Sequence, residues 1–237
     1  MTAIFALASL AFPITVEPTP EDIVQKNLKD VSFVLHIVKA EQKELGKINK
    51  DFGTTYRMDT GKAYFKDPNR LRLEANYGGT TVYYIINGTT QYYRLPQANI
   101  TKKDDLSGSP GRIQTLLDFG ALVPSLLDFF SAKYVRTDRA NGDYVFDLLF
   151  KNRKPDDMTR HRIWVDPQKR YITKREWYNR KGEQLATFNY SEPQSSGGCT
   201  LPGRVEVRNV ENKLGGVMEY QSVKFNTGLS DSMFLPK

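Results

Sequence analysis

Residues 64–74 read YFKDPNRLRLE, and this stretch predicts two strands joined by a tight turn. Apolar and polar side chains alternate on both sides of the turn, as they do in strands that bury one face. Pro68 has no backbone N–H and a fixed φ, so it stops strand pairing and sets the bend. Leu71 and Leu73 then resume the inward face. Strands joined this closely are antiparallel neighbours, which predicts a meander.

The same signal recurs through most of the chain. SFVLHIVKAEQKEL (32–45) predicts a long first strand and GTTYRMDTGKAYFK (53–66) a second. Later strand-like segments are short, rich in β-branched or aromatic residues and bounded by Gly, Pro, Asn or Asp. They cover residues 70–77, 80–88, 90–96, 144–151, 161–166, 171–179, 184–191, 203–210 and 215–225.

Two segments predict helices instead. Thr19-Pro20-Glu21-Asp22 offers an N-cap hydroxyl, a proline at the first position and acids in the first turn, which predicts a helix to about Asp30. SPGRIQTLLDFGALVPSLLDFFSAK (109–133) is helical in composition and more apolar than one helix face against a core requires. The predicted fold is α+β: a strongly curved antiparallel sheet, or incomplete β-barrel, covered by an N-terminal helix and a mid-chain helical lid. Residues 19–237 are expected to form a single domain.

The first residues are expected to be a signal peptide or an N-terminal arm, covering residues 1–18. Ile4 to Phe12 is a short apolar stretch with small residues spaced as at a cleavage site, although no Lys or Arg precedes it. The stretch is too short to span a bilayer. We therefore expect an exported, periplasmic, soluble protein.

The remaining composition argues against catalysis and metal binding. Cys199 is the single cysteine, which excludes an internal disulfide, and the histidines His36 and His161 have no partners at ligand spacing. Neither a nucleophile elbow nor a phosphate-binding glycine loop is present. We expect no enzyme activity, no cofactor and no metal. The net charge of +7 is scattered without long basic runs, so it indicates a solvated sheet face rather than a nucleic-acid site.

Taken in order, these features resemble the LolA-like outer-membrane lipoprotein carriers of the bacterial envelope, a fold type that includes the LolB and RseB proteins. The matching stretches are GKAYFKDPNRLRLE (61–74), IINGTTQYYRLP (85–96), the segment 109–133, HRIWVDPQKRYITKREWYNRKGEQLATFNY (161–190) and KFNTGLSDSMFLPK (224–237). The resemblance implies a half-closed barrel whose apolar cavity holds acyl chains. It also implies an inner-membrane donor and an outer-membrane acceptor as partners, no nucleic acid, and a monomer.

The resemblance has a chemical departure at the turn quoted above. In such carriers an arginine before the Pro-Asn turn is expected to hydrogen-bond the lid, but this chain has Asp67 there. A carboxylate only accepts hydrogen bonds, whereas a guanidinium donates them. Asp67 and Arg70 are therefore the candidate lid contacts. An extra pair of strands around residues 203–225 is a second departure.

We predict a non-catalytic carrier that binds acyl chains of a lipoprotein or lipid in this cavity. The candidate cavity residues are Leu71, Leu73, Ile113, Leu116, Leu117, Leu126, Phe129, Phe130, Ile163 and Val165. A dry core completed by residues 116–130 is the alternative to a cavity. A sensor of the same fold, which recognises lipidated cargo and a partner protein, is the alternative function; an enzyme acting on lipid or polysaccharide and a basic nucleic-acid binder are weaker ones.

Overall fold

A computed structural model describes residues 16–49 and 52–236 of the chain. The predicted signal peptide or arm, residues 1–18, therefore lies almost wholly outside the described residues. Within them, no helix is long and apolar enough to cross a membrane.

Antiparallel β-structure dominates these residues. The strands are β1 (Asp30–Ala40), β2 (Thr60–Lys66), β3 (Arg70–Tyr77), β4 (Thr80–Asn87), β5 (Thr90–Leu95), β6 (Ile100–Asp105), β7 (Phe130–Thr137), β8 (Tyr144–Phe150), β9 (Arg160–Val165), β10 (Ile172–Tyr178), β11 (Gln184–Ser191), β12 (Gln194–Ser196), β13 (Cys199–Leu201), β14 (Arg204–Asn209) and β15 (Leu214–Phe225). Thirteen of them form one sheet in the order β6-β5-β4-β3-β2-β1-β15-β14-β11-β10-β9-β8-β7, and β12 pairs with β13 alone. The sheet is not closed into a barrel, which confirms the predicted fold class.

The sheet consists of two meanders joined at its centre. Strands β1 to β6 form one meander, and β7 to β11 with β14 and β15 form the other. They meet where β1 pairs with β15, in a register that sets Val31 opposite Phe225. The expected extra strands, β14 and β15, are therefore the link between the two halves.

Period-two burial confirms the inward face at the quoted turn. In β2, Ala63 and Phe65 are buried while Lys62 is exposed, and Leu71 of β3 is fully buried opposite Phe65. A cis peptide bond links Asp67 to Pro68 at the bend. The sequence prediction of two strands around this turn is therefore correct.

The two edge strands, β6 and β7, are consecutive in the chain, so residues 106–129 must cross the sheet from one edge to the other. We call this connection the crossover segment. Its apolar side chains are almost all buried: Leu106, Ile113, Leu116, Leu117, Phe119, Ala121, Leu122, Val123 and Leu126. The predicted lid position is correct, but the predicted helices are not. The segment contains only 3₁₀ turns, at Pro110–Arg112, Leu116–Phe119 and Pro124–Asp128, and β7 already begins at Phe130.

The N-terminal helix is also wrong as predicted. A 3₁₀ turn at Pro20–Asp22 ends at once, because the next residues serve tertiary contacts rather than a helical ladder. The backbone N–H of Gln25 donates to the carbonyl of Leu122 at 2.8 Å, and its buried amide bonds the backbone N–H and carbonyl of Thr200, each at 2.7 Å. Residues 23–25 thus tie the crossover segment to the β12–β13 hairpin.

Helices occur where strand was expected. The long first strand ends at Ala40, and α1 (Gln42–Ile48) and α2 (Phe52–Thr55) follow it. Leu45 and Ile48 are three residues apart on one face of α1 and are both buried. The second strand begins only at Thr60. The prediction of one domain over residues 19–237 stays a prediction.

Candidate functional site

A cavity lies between the inner face of the sheet and the crossover segment, in two adjoining lobes of about 570 and 530 Å³. Both volumes fall within the roughly 300–1,000 Å³ of small-molecule sites. The lobes adjoin because eight residues line both: Phe52, Thr55, Tyr84, Gln91, Gln114, Asp118, Arg175 and Phe188.

The larger lobe, called here the apolar lobe, is lined mainly by aromatic and aliphatic side chains. Besides the shared residues these are Leu35, Thr54, Tyr56, Met58, Leu73, Glu74, Ala75, Tyr77, Val82, Tyr93, Phe119, Val205, Met218 and Tyr220. Its wall is ordered by ring contacts: Phe119 meets Tyr220 with ring centroids 6.1 Å apart, and Phe52 meets Phe188 at 6.0 Å. Offset and edge contacts of this kind stabilise aromatic pairs.

The smaller lobe, called here the polar lobe, carries a different set of side chains. Its own lining residues are Asn49, Gly111, Arg112, Ile113, Thr115, Leu117, Phe130, Phe150, His161 and Trp177. His161 lies against two rings, with centroid distances of 6.2 Å to both Phe130 and Phe150.

An ion pair between a buried arginine and a part-buried aspartate lies where the lobes meet. Nη1 of Arg175 donates to Oδ1 of Asp118 at 2.7 Å, and only 4% of the arginine side chain is exposed. The guanidinium also lies over the ring of Phe188, 4.0 Å from its centroid. Since Asp118 belongs to the crossover segment and Arg175 to β10, the ion pair joins the crossover segment to the sheet.

Burial sets the protonation of the groups around the ion pair. Burial, together with the charge of Arg175, holds the pKa of His161 well below its usual range, so the imidazole is neutral at pH 7. Burial raises the pKa of Tyr190 to about 12, and it raises that of Tyr84 as well. Burial alone would lower the pKa of Arg175, but Tyr190 and Asp118 outweigh it and raise the pKa. His161, Tyr84 and Tyr190 are therefore neutral at pH 7, and the charges among these groups belong to Arg175 and Asp118.

A second contact holds the crossover segment at the turn between β2 and β3. The hydroxyl of Ser125 donates a short hydrogen bond to Oδ1 of Asp67, and both side chains are part-buried. The backbone N–H of Asp67 donates to the carbonyl of Lys29 at 2.9 Å, which fixes the turn itself. The family resemblance predicts an arginine donor at position 67, but this chain has the acceptor Asp67 there. The donor is Ser125, which belongs to the crossover segment.

Arg70, the other candidate lid contact, lies elsewhere. Its Nη1 is 2.5 Å from Oδ1 of Asp231, and Nζ of Lys66 is 2.5 Å from the same oxygen. Asp231 begins the last 3₁₀ turn, Asp231–Phe234, in which Phe234 is fully buried. Arg70 therefore anchors the C-terminal segment to the sheet.

The structure brings four of the predicted cavity residues to the lobes. Leu73 lines the apolar lobe, and Ile113, Leu117 and Phe130 line the polar lobe. The others are core residues of the described chain that line neither lobe: Leu71, Leu116, Leu126, Ile163 and Val165 are fully buried, and Phe129 is partly buried against them. A ligand-binding role for the four lining residues stays a prediction.

Sequence reasoning missed the aromatic residues at α2 and the ion pair between Arg175 and Asp118. Phe52 begins α2, one residue before the predicted second strand, and Tyr56 lies just after α2, within that predicted strand. Arg175 was missed because strict alternation would place it away from the side of Ile172, whereas both are buried. A register shift between Ile172 and Lys174 causes this.

Comparisons with known proteins address the fold. A family model described as "Uncharacterized protein" matches residues 118–237, just over half of the chain. No curated protein matches the sequence. A LolA superfamily protein from Nitrosomonas europaea superposes with a TM-score of 0.60 at 15% identity, covering 91% of this chain and 94% of that one.

Two further solved structures agree. A domain described as an outer membrane lipoprotein-sorting protein, from Vibrio parahaemolyticus, has a TM-score of 0.59 at 14% identity and covers 90% of this chain and 92% of its own. A DUF1329 family protein from Desulfovibrio piger has a TM-score of 0.59 at 14% identity, covering 91% and 92%. At these identities the likeness shows the fold, which is the LolA-like fold that the sequence predicted.

Proposed function

Because the chain belongs to the family whose model spans residues 118–237, and because it has the LolA-like fold, we propose that it is a carrier of acyl chains. It binds the chains of a lipoprotein or lipid in the two-lobed cavity and acts by reversible sequestration. The observation that carries the proposal is the apolar lobe itself. About 570 Å³ of space is lined mainly by aromatic and aliphatic side chains where a dry core would have filled it.

The lining supplies the affinity that a carrier requires. Each CH₂ group moved from water into such a lobe gains about 0.8 kcal/mol, so a chain of about ten such groups reaches micromolar dissociation constants. The tyrosine hydroxyls at the wall are protonated, because burial raises the pKa of Tyr84 and of Tyr220. The lobe therefore presents no phenolate charge to an acyl chain.

The two carboxylates at the cavity support binding rather than catalysis. Glu74 is bonded to Arg72 at 2.7 Å, and Asp118 is bonded to Arg175 at 2.7 Å. One oxygen of each carboxylate is thus already engaged by a guanidinium N–H at the cavity wall. Each therefore acts in this proposal as a structural partner.

The carrier is proposed to act in the periplasm, as an exported protein. A Nitrosomonas protein of the LolA superfamily and a Vibrio domain described as lipoprotein-sorting share its fold, which supports this setting. An inner-membrane donor and an outer-membrane acceptor are the proposed partners. The crossover segment, residues 106–129, would have to move away from the sheet each time cargo enters or leaves the cavity.

Native mass spectrometry of the protein purified from its own cell envelope tests the proposal directly. We expect a bound species whose mass matches an acylated molecule. Ala75→Trp places an indole in the apolar lobe, and it should remove most of that species, because Ala75 lines the lobe from β3.

Lys62→Trp is the matched control, since Lys62 is exposed on the adjacent strand β2 and pairs with Glu74. Both variants place an aromatic residue in a strand, where aromatic residues are well tolerated. Equal thermal midpoints would show that both fold. If Ala75→Trp retains as much bound lipid as Lys62→Trp does, the proposed binding cavity is contradicted.

A further inference from the structure

The polar lobe contains a concentration of unsatisfied polar groups. Within residues 16–49 and 52–236, four buried side-chain atoms have no hydrogen-bond partner: Oδ1 of Asn69, Oε1 of Gln114, Nδ1 of His161 and Nε of Arg175. Three of these residues, Gln114, His161 and Arg175, line the polar lobe. Buried polar atoms are nearly always paired in folded proteins, so such a cluster requires an explanation.

The charge of the lobe indicates what kind of group is missing. Arg112 and Arg175 line it with a single carboxylate, Asp118, which the buried arginine already binds. Arg112 is 62% exposed, and its ion pair with Asp104 is long, at 4.0 Å. The lobe therefore has one positive charge in excess, and Arg175 keeps an unused N–H donor.

The position of the polar lobe next to the apolar lobe indicates how its bound group would be connected to the rest of a ligand. Arg175, Asp118 and Gln114 line both lobes, so a group bound at the arginine lies next to the apolar lobe. A molecule that extends through both lobes has an apolar chain at one end and a polar head at the other. This is the shape of a single-chain amphiphile.

We propose that the polar lobe binds the anionic oxygen head, carboxylate or phosphate, of an amphiphile whose acyl chain fills the apolar lobe. Arg175 donates from the side of its guanidinium that Asp118 leaves free, and Arg112 attracts the head at the entrance. The unpaired atom of Gln114 is the acceptor Oε1, so its side-chain amide must turn to present its NH₂ to the head. The neutral imidazole of His161 donates to the head in the tautomer that carries the proton on Nδ1. The inference rests on the proposed function and narrows its cargo.

Calorimetric titration of the full chain tests the inference with three probes of equal chain length: laurate, dodecanol and lauroyl lysophosphatidic acid. Hydrogen bonds to charged groups favour laurate over dodecanol by roughly ten- to a hundredfold. Tighter binding of lauroyl lysophosphatidic acid than of laurate would assign phosphate as the head, and the reverse would assign carboxylate. Both results support an anionic head.

Two outcomes overturn different parts of the reasoning. If neither laurate nor lauroyl lysophosphatidic acid binds more tightly than dodecanol, the anionic head is overturned while acyl binding is left intact. Binding of none of the probes would overturn the acyl carrier as well. The two failures are therefore distinguishable in one experiment.

Variants locate the head. Arg175→Met combined with Asp118→Asn removes both partners of the ion pair, so no carboxylate is left without its arginine, and it should abolish the preference for laurate over dodecanol. Arg112→Gln changes an exposed side chain and should weaken laurate several-fold without affecting dodecanol. Arg153→Gln, an exposed arginine of the loop after β8, is the control and should change neither. A laurate preference that survives both site variants would overturn the assignment.

Discussion

The hydrogen bond between Ser125 and Asp67 should control how readily the cover opens. It is the side-chain contact that holds the crossover segment to the β2–β3 turn. Ser125→Ala removes the donor and leaves the turn and its backbone bond to Lys29 unchanged. The substitution therefore tests the attachment without altering the sheet.

The expected size follows from the environment of the two groups. A hydrogen bond to a charged group contributes about 1.5–3 kcal/mol. Both side chains are part-buried, so the carboxylate remains partly hydrated after the change, and the lower end of that range applies. A loss of about 1.5 kcal/mol corresponds to roughly tenfold more frequent opening.

Hydrogen exchange measures that opening. The backbone amide of Leu126 donates to Val123 at 3.0 Å, and that of Gln25 donates to Leu122 at 2.8 Å, so both report on the crossover segment. In Ser125→Ala these amides should exchange about tenfold faster, while amides of the central strands should keep their rates.

Ser131→Ala is the matched control, because its hydroxyl is exposed and makes only a long bond of 3.4 Å to Leu149. In the Ser125→Ala background, Asp67→Asn should add little, since the two changes remove one interaction. If the two serine variants show the same exchange in the crossover segment, Asp67 and Ser125 do not hold the cover.

Three further measurements test other features. Decanoate should bind roughly 15-fold more weakly than laurate in calorimetry, because two CH₂ groups contribute about 1.6 kcal/mol; equal affinities would contradict an acyl site. The unfolded state takes up a proton at His161 below about pH 6.5 whereas the folded state keeps it neutral, so stability should fall by about 1 kcal/mol between pH 6.5 and 5.5. Denaturant unfolding should show that His161→Phe lacks this fall, and a fall of equal size in the variant would contradict it. Gly120→Ala should cost roughly 2 kcal/mol or more in the same assay, because Gly120 has φ of +90° and an added Cβ would lie 2.7 Å from Pro202; an unchanged free energy of unfolding would contradict the strain.

The strands were predictable because their signal is local. Alternation and turn residues located most strands of both meanders within one or two residues, including β3 and β11, whose bounds agree in full. The exceptions were the two edge strands, the end of β1 and the start of β2. β6 is exposed along its whole length, so it has no apolar alternation to detect. β7 begins at Phe130, inside a segment whose composition is typical of helix.

The helix predictions failed because a composition typical of helices does not determine which backbone hydrogen bonds form. The crossover segment has the leucines of a helix but must span the sheet from edge to edge, and a chain in short 3₁₀ turns covers more distance per residue than an α-helix. A capping box forms at Thr115, where Asp118 accepts from the N–H of Thr115 at 3.0 Å. The same carboxylate also binds Arg175, and the turn ends at Gly120, whose φ of +90° lies in the left-handed region.

The cavity could be anticipated only in part, because lining and core residues have the same sequence pattern. Leu71 and Leu73 are both apolar and both inward on β3, yet the first is fully buried in the core and the second faces the apolar lobe. Which of them meets empty space depends on how the cover lies, and that is a property of the whole fold. The face of Arg175 depends on a local register shift in β10.

Arg175 both holds the crossover segment, through Asp118, and belongs to the proposed head site, so ligand binding should affect how the crossover segment opens. Arg175 binds Asp118 through Nη1 and leaves Nε without a partner, so an anionic head adds to the ion pair without displacing it. Bound laurate would then link the crossover segment to β10 more firmly. At a hundred times its dissociation constant a ligand stabilises the state that binds it by about 2.7 kcal/mol, so exchange at the amide of Leu126 should slow by roughly a hundredfold. With Arg175→Met and Asp118→Asn combined, laurate and dodecanol at equal concentration should protect this amide equally, because their affinities should no longer differ. Faster exchange in the presence of laurate would mean that the head displaces Asp118, and that binding opens the cover.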